Sequence, residues 1–479
     1  MRAMFQPPKL GIGMIFSAAL DPFLRRRPDA LDVLEIEPQT LWLAEDAIAG
    51  PFAEYRPAME AFAALPQAKL VHSVGVPLGG RRKPSPGQMA LLRETAQRLD
   101  SPWVSEHLSI AGTPHRSAGF LLPPLQTDEG VATAVENIAA FRAGVGRPIA
   151  VETGVAYLKR KPFEMPDGEF LAQVAEQAQC GLLLDLHNLW CNHCNGRIDF
   201  DETLAQIPFD RVWEVHLAGG DDMGGVWLDS HSGPMPDALA ARAREVIAEL
   251  PNLGAINFEI YDTFLERLEP AVFDTIVDGL RAIWDGAGQS RSDTRPVDLR
   301  GAPPAPETTV EAWEDSLTLS VWTADPTGHP WPEDHPLLSL YAFLARSFRG
   351  SMLTRAMPRT VRYGLLRDGE GFEAKMNAYF DAHSPKMYAP LEAQAFRAWL
   401  LEMGEDDPLM LGLLEYDIAF VRLLKETTPQ IVHFPGDPAP IFEALSEGRL
   451  PDPPTPPAWE LEILPEAVAE GFVQAAGAS

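Results

Sequence analysis

Between residues 9 and 285 the chain alternates two kinds of segment, and this alternation constrains its fold more than any other feature. Eight short runs are apolar and strand-like: LGIGMIF, LDVLEIE, AKLVHSVG, SPWVSEHL, RPIAVETG, CGLLLDLH, VWEVHLAG and AINFEIYD. Between several of them lie PSPGQMALLRETAQRLD, ATAVENIAAFRAGVG and DGEFLAQVAEQAQ, whose apolar residues recur at helical spacing. Strands separated by helices pair in parallel, because each helix carries the chain back across the sheet. Eight such units over about 280 residues meet the requirement of an α/β fold closed as a (β/α)8 TIM barrel. An open, doubly wound sheet is the alternative, and the count of eight favours closure.

Past this region the pattern changes. Residues 284–309, WDGAGQSRSDTRPVDLRGAPPAPETT, combine Gly, Ser, Pro and charge without a hydrophobic period, as a linker does. Helical stretches then dominate: HPLLSLYAFLARSF, EAKMNAYFDAH, LEAQAFRAWLLEMG and PLMLGLLEYDIAFVRLLKE. QIVHF precedes another helix, PAPIFEALSEG, and a Pro-rich tail carries the strand-like WELEIL. The expected division is a barrel domain over 1–285, a linker over 286–309 and a smaller, mainly α domain with minor β over 310–479.

The net charge of −29 speaks against a nucleic-acid partner, since polyanion binders carry a basic footprint. No apolar run is long enough to span a membrane, and the start has no secretory signal. Three cysteines, Cys180, Cys191 and Cys194, cannot build a disulfide framework, which fits a reducing cytoplasm. The basic run RRKP reads either as solvated surface charge or as Arg81 and Arg82 holding an acidic part of a substrate.

In a barrel of this class the active site lies at the C-terminal ends of the strands. There the ionisable residues gather. The third run ends in His72, the fourth in Glu106 and His107, and the fifth in Glu152. The sixth ends in Asp185 and His187, the seventh in Glu214 and His216, and the eighth in Glu259. Asp229 and His231 follow the seventh run, and the second carries Glu35 and Glu37. Each unpaired charge buried in such a place costs roughly several kcal/mol, which a metal cluster relieves. Imidazole and carboxylate with little thiolate suit iron, manganese or zinc. So many donors exceed the needs of one ion and point to two or three with a bridging carboxylate. The Cys191-x-x-Cys194 pair has no second pair to complete a structural zinc site. It reads as ordinary loop cysteines or as a redox pair over the site. His115, His329, His335, His383 and His433 lie away from strand ends and read as structural or exposed.

Seven ordered motifs, LVHSVGVPLG, VSEHLS, AVETGVAYL, GLLLDLHNLW, VHLAGG, LDSHSGPM and NFEIYD, together resemble the multinuclear non-haem iron-dependent oxidative enzymes, a family that includes the methanobactin-biosynthesis oxidase. The resemblance covers most of residues 9–285. It implies a TIM barrel holding two or three irons in a mixed-valence Fe(II)/Fe(III) state. Such an enzyme uses dioxygen as cosubstrate to modify a ribosomally made precursor peptide, best known at Cys and in some members at other residues. Carried over, His72, His107 and Glu152 hold one iron. Glu152, Asp185, His216 and Glu259 hold a second, with Glu152 bridging, and Asp229, His231 and His187 hold a third. Glu37, Gln39, Asn188, Arg81 and Arg82 are the expected substrate contacts. Relatives often have Pro-Glu-Asn where this chain has Pro38-Gln39-Thr40, so the substrate is not inherited with the fold.

Family members work with a separate partner that captures the leader segment of the precursor. VHFPGDPAPIFEALSEGRLPDPP followed by WELEIL resembles such a partner, here fused in one chain. Two rivals stand beside the oxidase: a zinc- or manganese-dependent TIM-barrel hydrolase or isomerase, by fold analogy, and a non-catalytic peptide-binding scaffold.

Overall fold

The computed structural model describes residues 5–288 and 306–467. Its centre is a closed barrel of eight parallel strands: β1 (Gly11–Ile15), β2 (Val33–Ile36), β3 (Ala68–Ser73), β4 (Val104–His107), β5 (Ile149–Glu152), β6 (Gly181–Asp185), β7 (Val212–Ala218) and β8 (Ala255–Glu259). Each strand pairs with its sequence neighbour, and β8 closes the ring on β1 through Gly13↔Asn257. All eight expected runs are strands of this ring, and the three helical stretches become helices Pro86–Arg98, Asp128–Val145 and Asp167–Ala178.

The barrel interior is layered. Val33, Leu70, Ala150, Leu183 and Ala255, each on a different strand, and Trp103 just before β4 belong to a single buried cluster. Residues on so many strands touch only inside the ring. Side chains alternate along a strand, so the residues two positions further on also point inward. Those residues are Glu35, His72, Ser105, Glu152, Asp185 and Asn257, all buried. The sequence thus lays an apolar floor and places a polar layer on it. β1 contributes space: a Cβ on Gly13 would lie 2.3 Å from Asn257 Oδ1.

Three antiparallel hairpins decorate the barrel, pairing Trp42–Ala44 with Phe52–Glu54, Ile110–Thr113 with Arg116–Leu122, and Asp221–Met223 with Val226–Leu228. Of the expected linker, residues 289–305 lie outside the described residues. Helix Val310–Thr323 then packs on the second hairpin, where Val310, Trp313, Leu317 and Val321 share a core with Ile110, Ala118, Leu122, Tyr157 and Tyr341. The remaining helices build a separate core around Phe396, Met410, Leu413 and Phe434. QIVHF and WELEI form the antiparallel strands β9 (Gln430–Phe434) and β10 (Trp459–Ile463). Among the described residues no helix is long and apolar enough to cross a membrane.

Candidate metal centre

The polar layer continues upward into a cluster of imidazoles and carboxylates. His72 Nε2 and His107 Nε2 each lie 3.4 Å from Glu152 Oε2. Behind them, Ser105 Oγ sits 2.9 Å from His72 Nδ1, and Glu106 Oε1 sits 3.5 Å from His107 Nδ1. One donor atom each from Glu152, Asp185 and His216 forms a second group within 4.8 Å. His216 Nδ1 lies 3.2 Å from Glu259 Oε1, and its Nε2 is hydrogen-bonded to Glu35 Oε2 at 2.8 Å. The other Glu259 oxygen lies 3.2 Å from His231 Nε2, which is 3.0 Å from Asp229 Oδ1. Glu152 and Glu259 therefore each stand between two groups of donors.

The approaches of His72 and His107 to Glu152 Oε2, of His216 Nδ1 to Glu259 and of His231 Nε2 to Glu259 and Asp229 lack hydrogen-bond geometry. Glu152 Oε2, Asp185 Oδ2, Asn188 Oδ1, His216 Nδ1 and His231 Nε2 are buried and have no hydrogen-bond partner among the described residues. Imidazole nitrogens and carboxylate oxygens face one another at separations of 3.0–3.4 Å. Two ligands bound to one ion at about 2.0–2.2 Å lie about 3–3.5 Å apart, so the orphaned atoms are spaced as donors to shared cations. The residues fit a metal cluster.

The protein groups by themselves carry strained protonation states. Burial, then the charges of Glu259, Glu152 and Asp229, push the Asp185 carboxyl well above the usual carboxylate range. Burial and the surrounding imidazoles push His72 well below its ordinary value. Burial would also lower His107, but Glu152 and Glu106 outweigh it and lift the imidazole to about 9. Glu259, despite burial, is held at about 2 by His231 and His216. Asp229 would be raised by burial, yet His231 and His187 hold it far below normal. A cation would relieve the crowded carboxylates, and the imidazoles would bind it in neutral form.

His72, His107, Glu152, Asp185, His216, Asp229, His231 and Glu259 thus come together. His187 lies beside Asp229, and one donor atom each from His187, Cys191 and Asp229 falls within 4.8 Å. His187 Nδ1 lies 2.9 Å from Asp229 Oδ1, and its Nε2 accepts from the Trp227 indole at 3.5 Å, so both ring nitrogens meet protein groups. Asn188, expected at the substrate, is buried under the cluster and donates to Glu152 Oε1 at 3.0 Å. Gln39 is also buried, and its amide donates to Ser73 Oγ at 2.7 Å, which in turn donates to Glu106 Oε2 at 2.6 Å. Arg81 points away from the cluster and binds Glu311, Glu314 and Asp315 on helix Val310–Thr323, while Arg82 donates to the Thr113 and Arg116 carbonyls. These arginines fasten surrounding structure. Glu37, half-buried, faces the cluster, and burial and the Glu259 charge raise its carboxyl to about 7.

The cysteines require a correction. Cys191, His193 and Cys194 lie on helix Leu186–Cys194, not in a loop. Asp185 caps that helix, its Oδ1 accepting from Asn188 N at 2.9 Å, so the helix starts as soon as the strand ends. Cys191 is buried one turn after His187, its Sγ 3.7 Å from His187 Nε2, whereas Cys194 is exposed. All three cysteines are free. Of the other histidines, His329 is buried between Ser316 and Asp334, and His115 and His433 are exposed.

Glu35 and Glu106, expected at the strand ends without an assigned role, support the donors from behind, together with Ser105 and Ser73, which the sequence did not single out. For Glu35 and Glu106 the available signal was charge at a strand end. Deeper still, Glu214 accepts from the Trp103 indole at 2.8 Å and from Asn257 at 2.7 Å. His231 adopts a left-handed φ of 46°, which is uncommon for a residue with a side chain and clusters at functional sites.

A UPF0276 protein of Chromobacterium violaceum is 33% identical over 262 residues, covering 53% of this chain and 93% of the relative. Another, from Streptomyces avermitilis, is 32% identical over 234 residues, covering 47% of each chain. Among solved structures, D-psicose 3-epimerase from Clostridium cellulolyticum H10 aligns with a TM-score of 0.37 at 11% identity, covering 57% of this chain and 97% of that one. Residues 10–264, spanning all eight barrel strands but for the segments around them, match the family described as RiPP precursor modification enzyme MbnB/TglH/ChrH. The chain belongs to that family of precursor-modifying enzymes.

Proposed function

We propose that the protein is a multinuclear non-haem iron enzyme that uses dioxygen to oxidise a side chain, foremost a cysteine, of a ribosomally synthesised precursor peptide. The observation that carries the metal reading is the set of buried, unpartnered donor atoms at the barrel mouth: Glu152 Oε2, Asp185 Oδ2, His216 Nδ1 and His231 Nε2. Family membership supports the peptide substrate. The donors would be His72, His107 and Glu152 at one end, Glu152, Asp185, His216 and Glu259 in the middle, and Asp229 and His231 beyond. When bound, iron supplies the redox chemistry and the activation of dioxygen.

The chain's own residues prepare the site. Glu35 takes the Nε2 side of His216, leaving Nδ1 free as a donor. Ser105 and Glu106 face the Nδ1 atoms of His72 and His107, leaving Nε2 free on each. Such partners fix ring orientation and raise ligand basicity. Glu37, titrating at about 7, can give or take a proton at the substrate near neutral pH.

The region from residue 310 onward would serve as the fused leader-recognition domain, with the barrel domain ending near residue 285. Ile431 and Trp459 are exposed on the antiparallel β9–β10 pair, which offers an edge for an added peptide strand. Fusion keeps the captured peptide at high effective concentration beside the barrel.

The test uses the full chain, loaded anaerobically with iron, zinc or manganese and mixed with synthetic precursor peptides encoded beside it. Iron-dependent dioxygen uptake with an oxidative mass change in the peptide is expected. Hydrolysis or isomerisation supported by zinc or manganese, without dioxygen uptake, would replace this reading with the hydrolase or isomerase.

A further inference from the structure

Asp229 is held by a frame that reaches beyond the barrel. It follows the hairpin that pairs Asp221–Met223 with Val226–Leu228, and its carboxylate meets His187 Nδ1 at 2.9 Å. Asn195 brackets the preceding Trp227, accepting from its backbone N at 2.8 Å and donating to its carbonyl at 2.9 Å. The Asp229 backbone N donates to Tyr157 Oη at 3.3 Å. The Tyr157 backbone N in turn donates to Tyr341 Oη at 3.0 Å. Tyr341 lies on helix His335–Ala356, outside the barrel, and its ring meets that of Tyr157 edge-to-face at 5.3 Å. Both tyrosines are almost wholly buried.

We propose that Tyr157 and Tyr341 are positioning residues for Asp229, and that through them the region after the barrel sets how tightly the Asp229–His231 end of the cluster holds its metal ion. This rests on the reading of Asp229 and His231 as ligands. Two successive hydrogen bonds fix the height of the Asp229 backbone, while His187 fixes the direction of its carboxylate. The helix His335–Ala356 therefore forms part of the scaffold of the metal centre. Asp229 lies eleven residues beyond the end of β7 at Ala218, so no barrel strand holds it directly.

The hydroxyls can be removed without disturbing the rings. Tyr157→Phe deletes the acceptor for the Asp229 amide, and Tyr341→Phe deletes the acceptor for the Tyr157 amide. Leu338→Ala serves as the comparison, since Leu338 is buried in the same core but makes neither hydrogen bond. The full chain of each variant is titrated anaerobically with Fe(II) against a competing chelator, and the bound iron is counted and resolved by Mössbauer spectroscopy. Loss of an outer-shell partner weakens metal binding by about 10–100-fold. Tyr157→Phe is expected to weaken one class of iron site by that factor and leave the others at wild-type affinity. Tyr341→Phe should shift the same class in the same direction by less. Leu338→Ala should lower the melting temperature with all iron affinities intact. Wild-type affinities in both tyrosine variants would overturn the inference, as would an equal weakening of every site in all three variants. A His231→Ala variant that retains every wild-type iron would remove the ligand reading itself, and the inference with it.

Discussion

Asp185 has opposite effects in the metal-free and metal-loaded protein, and Asp185→Asn separates them. Its Oδ1 caps helix Leu186–Cys194, while its Oδ2 is buried without a partner among neighbouring carboxylates. Asparagine caps a helix as well as aspartate does, so that contribution is kept. The side-chain amide replaces an orphaned acceptor with a donor facing the oxygens of Glu152 and Glu259, which relieves on the order of 1–3 kcal/mol. The sign follows from the raised carboxyl: at neutral pH the unfolded chain ionises this group freely, whereas burial and Glu259 oppose ionisation in the fold. Stability is lost as pH climbs past the ordinary carboxylate range, so the benefit of Asn is present at pH 7 and vanishes in acid. At about 1–2 °C per kcal/mol for a chain of this size, metal-free Asp185→Asn should melt a few degrees above the wild type. Loaded with iron the order should reverse, because a lost ligand forfeits stabilisation that grows as the logarithm of the metal-to-Kd ratio. Thermal melts with and without Fe(II), kept anaerobic, read both effects. An Asp185→Ala control, which also loses the cap, should fall about 1 kcal/mol below Asn in the metal-free state. A metal-free Asp185→Asn protein that melts lower than the wild type, or an iron-loaded one that melts higher, would refute the reasoning.

Other expectations follow from the same geometry. His107 stands at about 9 in the metal-free protein, because Glu152 and Glu106 outweigh burial, so metal uptake below that pH must expel its proton. Apparent Fe(II) affinity should therefore rise by about tenfold per pH unit between mildly acidic and neutral conditions, and a flat profile in a chelator competition would contradict this. Glu106→Gln removes the carboxylate behind His107 and should weaken iron binding by about 10–100-fold in the same assay, with the fold retained by circular dichroism. Arg81→Ala leaves buried Glu314 with the residue 81 backbone N–H but without the guanidinium, and should cost roughly 1–3 kcal/mol of stability. Its iron content should be unchanged, and an unaltered melting temperature would show that apolar packing alone docks helix Val310–Thr323. Cys194 should alkylate readily in the folded protein while Cys180 and Cys191 stay protected, as measured by peptide mass mapping.

The barrel was legible because alternation of strand and helix is a local pattern, and all eight runs survive as strands. The donors at the strand ends were legible for a related reason. Period-two alternation turns an apolar floor residue such as Leu183 into an inward-facing Asp185 two positions later. What stayed hidden depends on tertiary geometry. Nothing local says that Glu35 meets His216 across the ring, or that His187 turns to Asp229 and Trp227. Arg81 and Arg82 resembled substrate contacts because their partners lie on the following helix and the neighbouring hairpin, far away in the chain or on another element. The loop assignment for Cys191 failed because one residue, Asp185, both ends a strand and caps a helix, leaving no turn sequence between them. The contribution of Tyr341 is carried by packing between distant segments and has no sequence signature.

The central claim is that several metal ions sit among the donors at the C-terminal end of the barrel. Crystals of the full chain grown anaerobically with Fe(II), with anomalous differences collected on either side of the iron edge, test it most directly. Two or three iron peaks are expected, one contacting His72, His107 and Glu152, another contacting Asp185, His216 and Glu259, and any third beside Asp229 and His231. A single peak away from Glu152, or no iron-specific signal within this cluster, would contradict it.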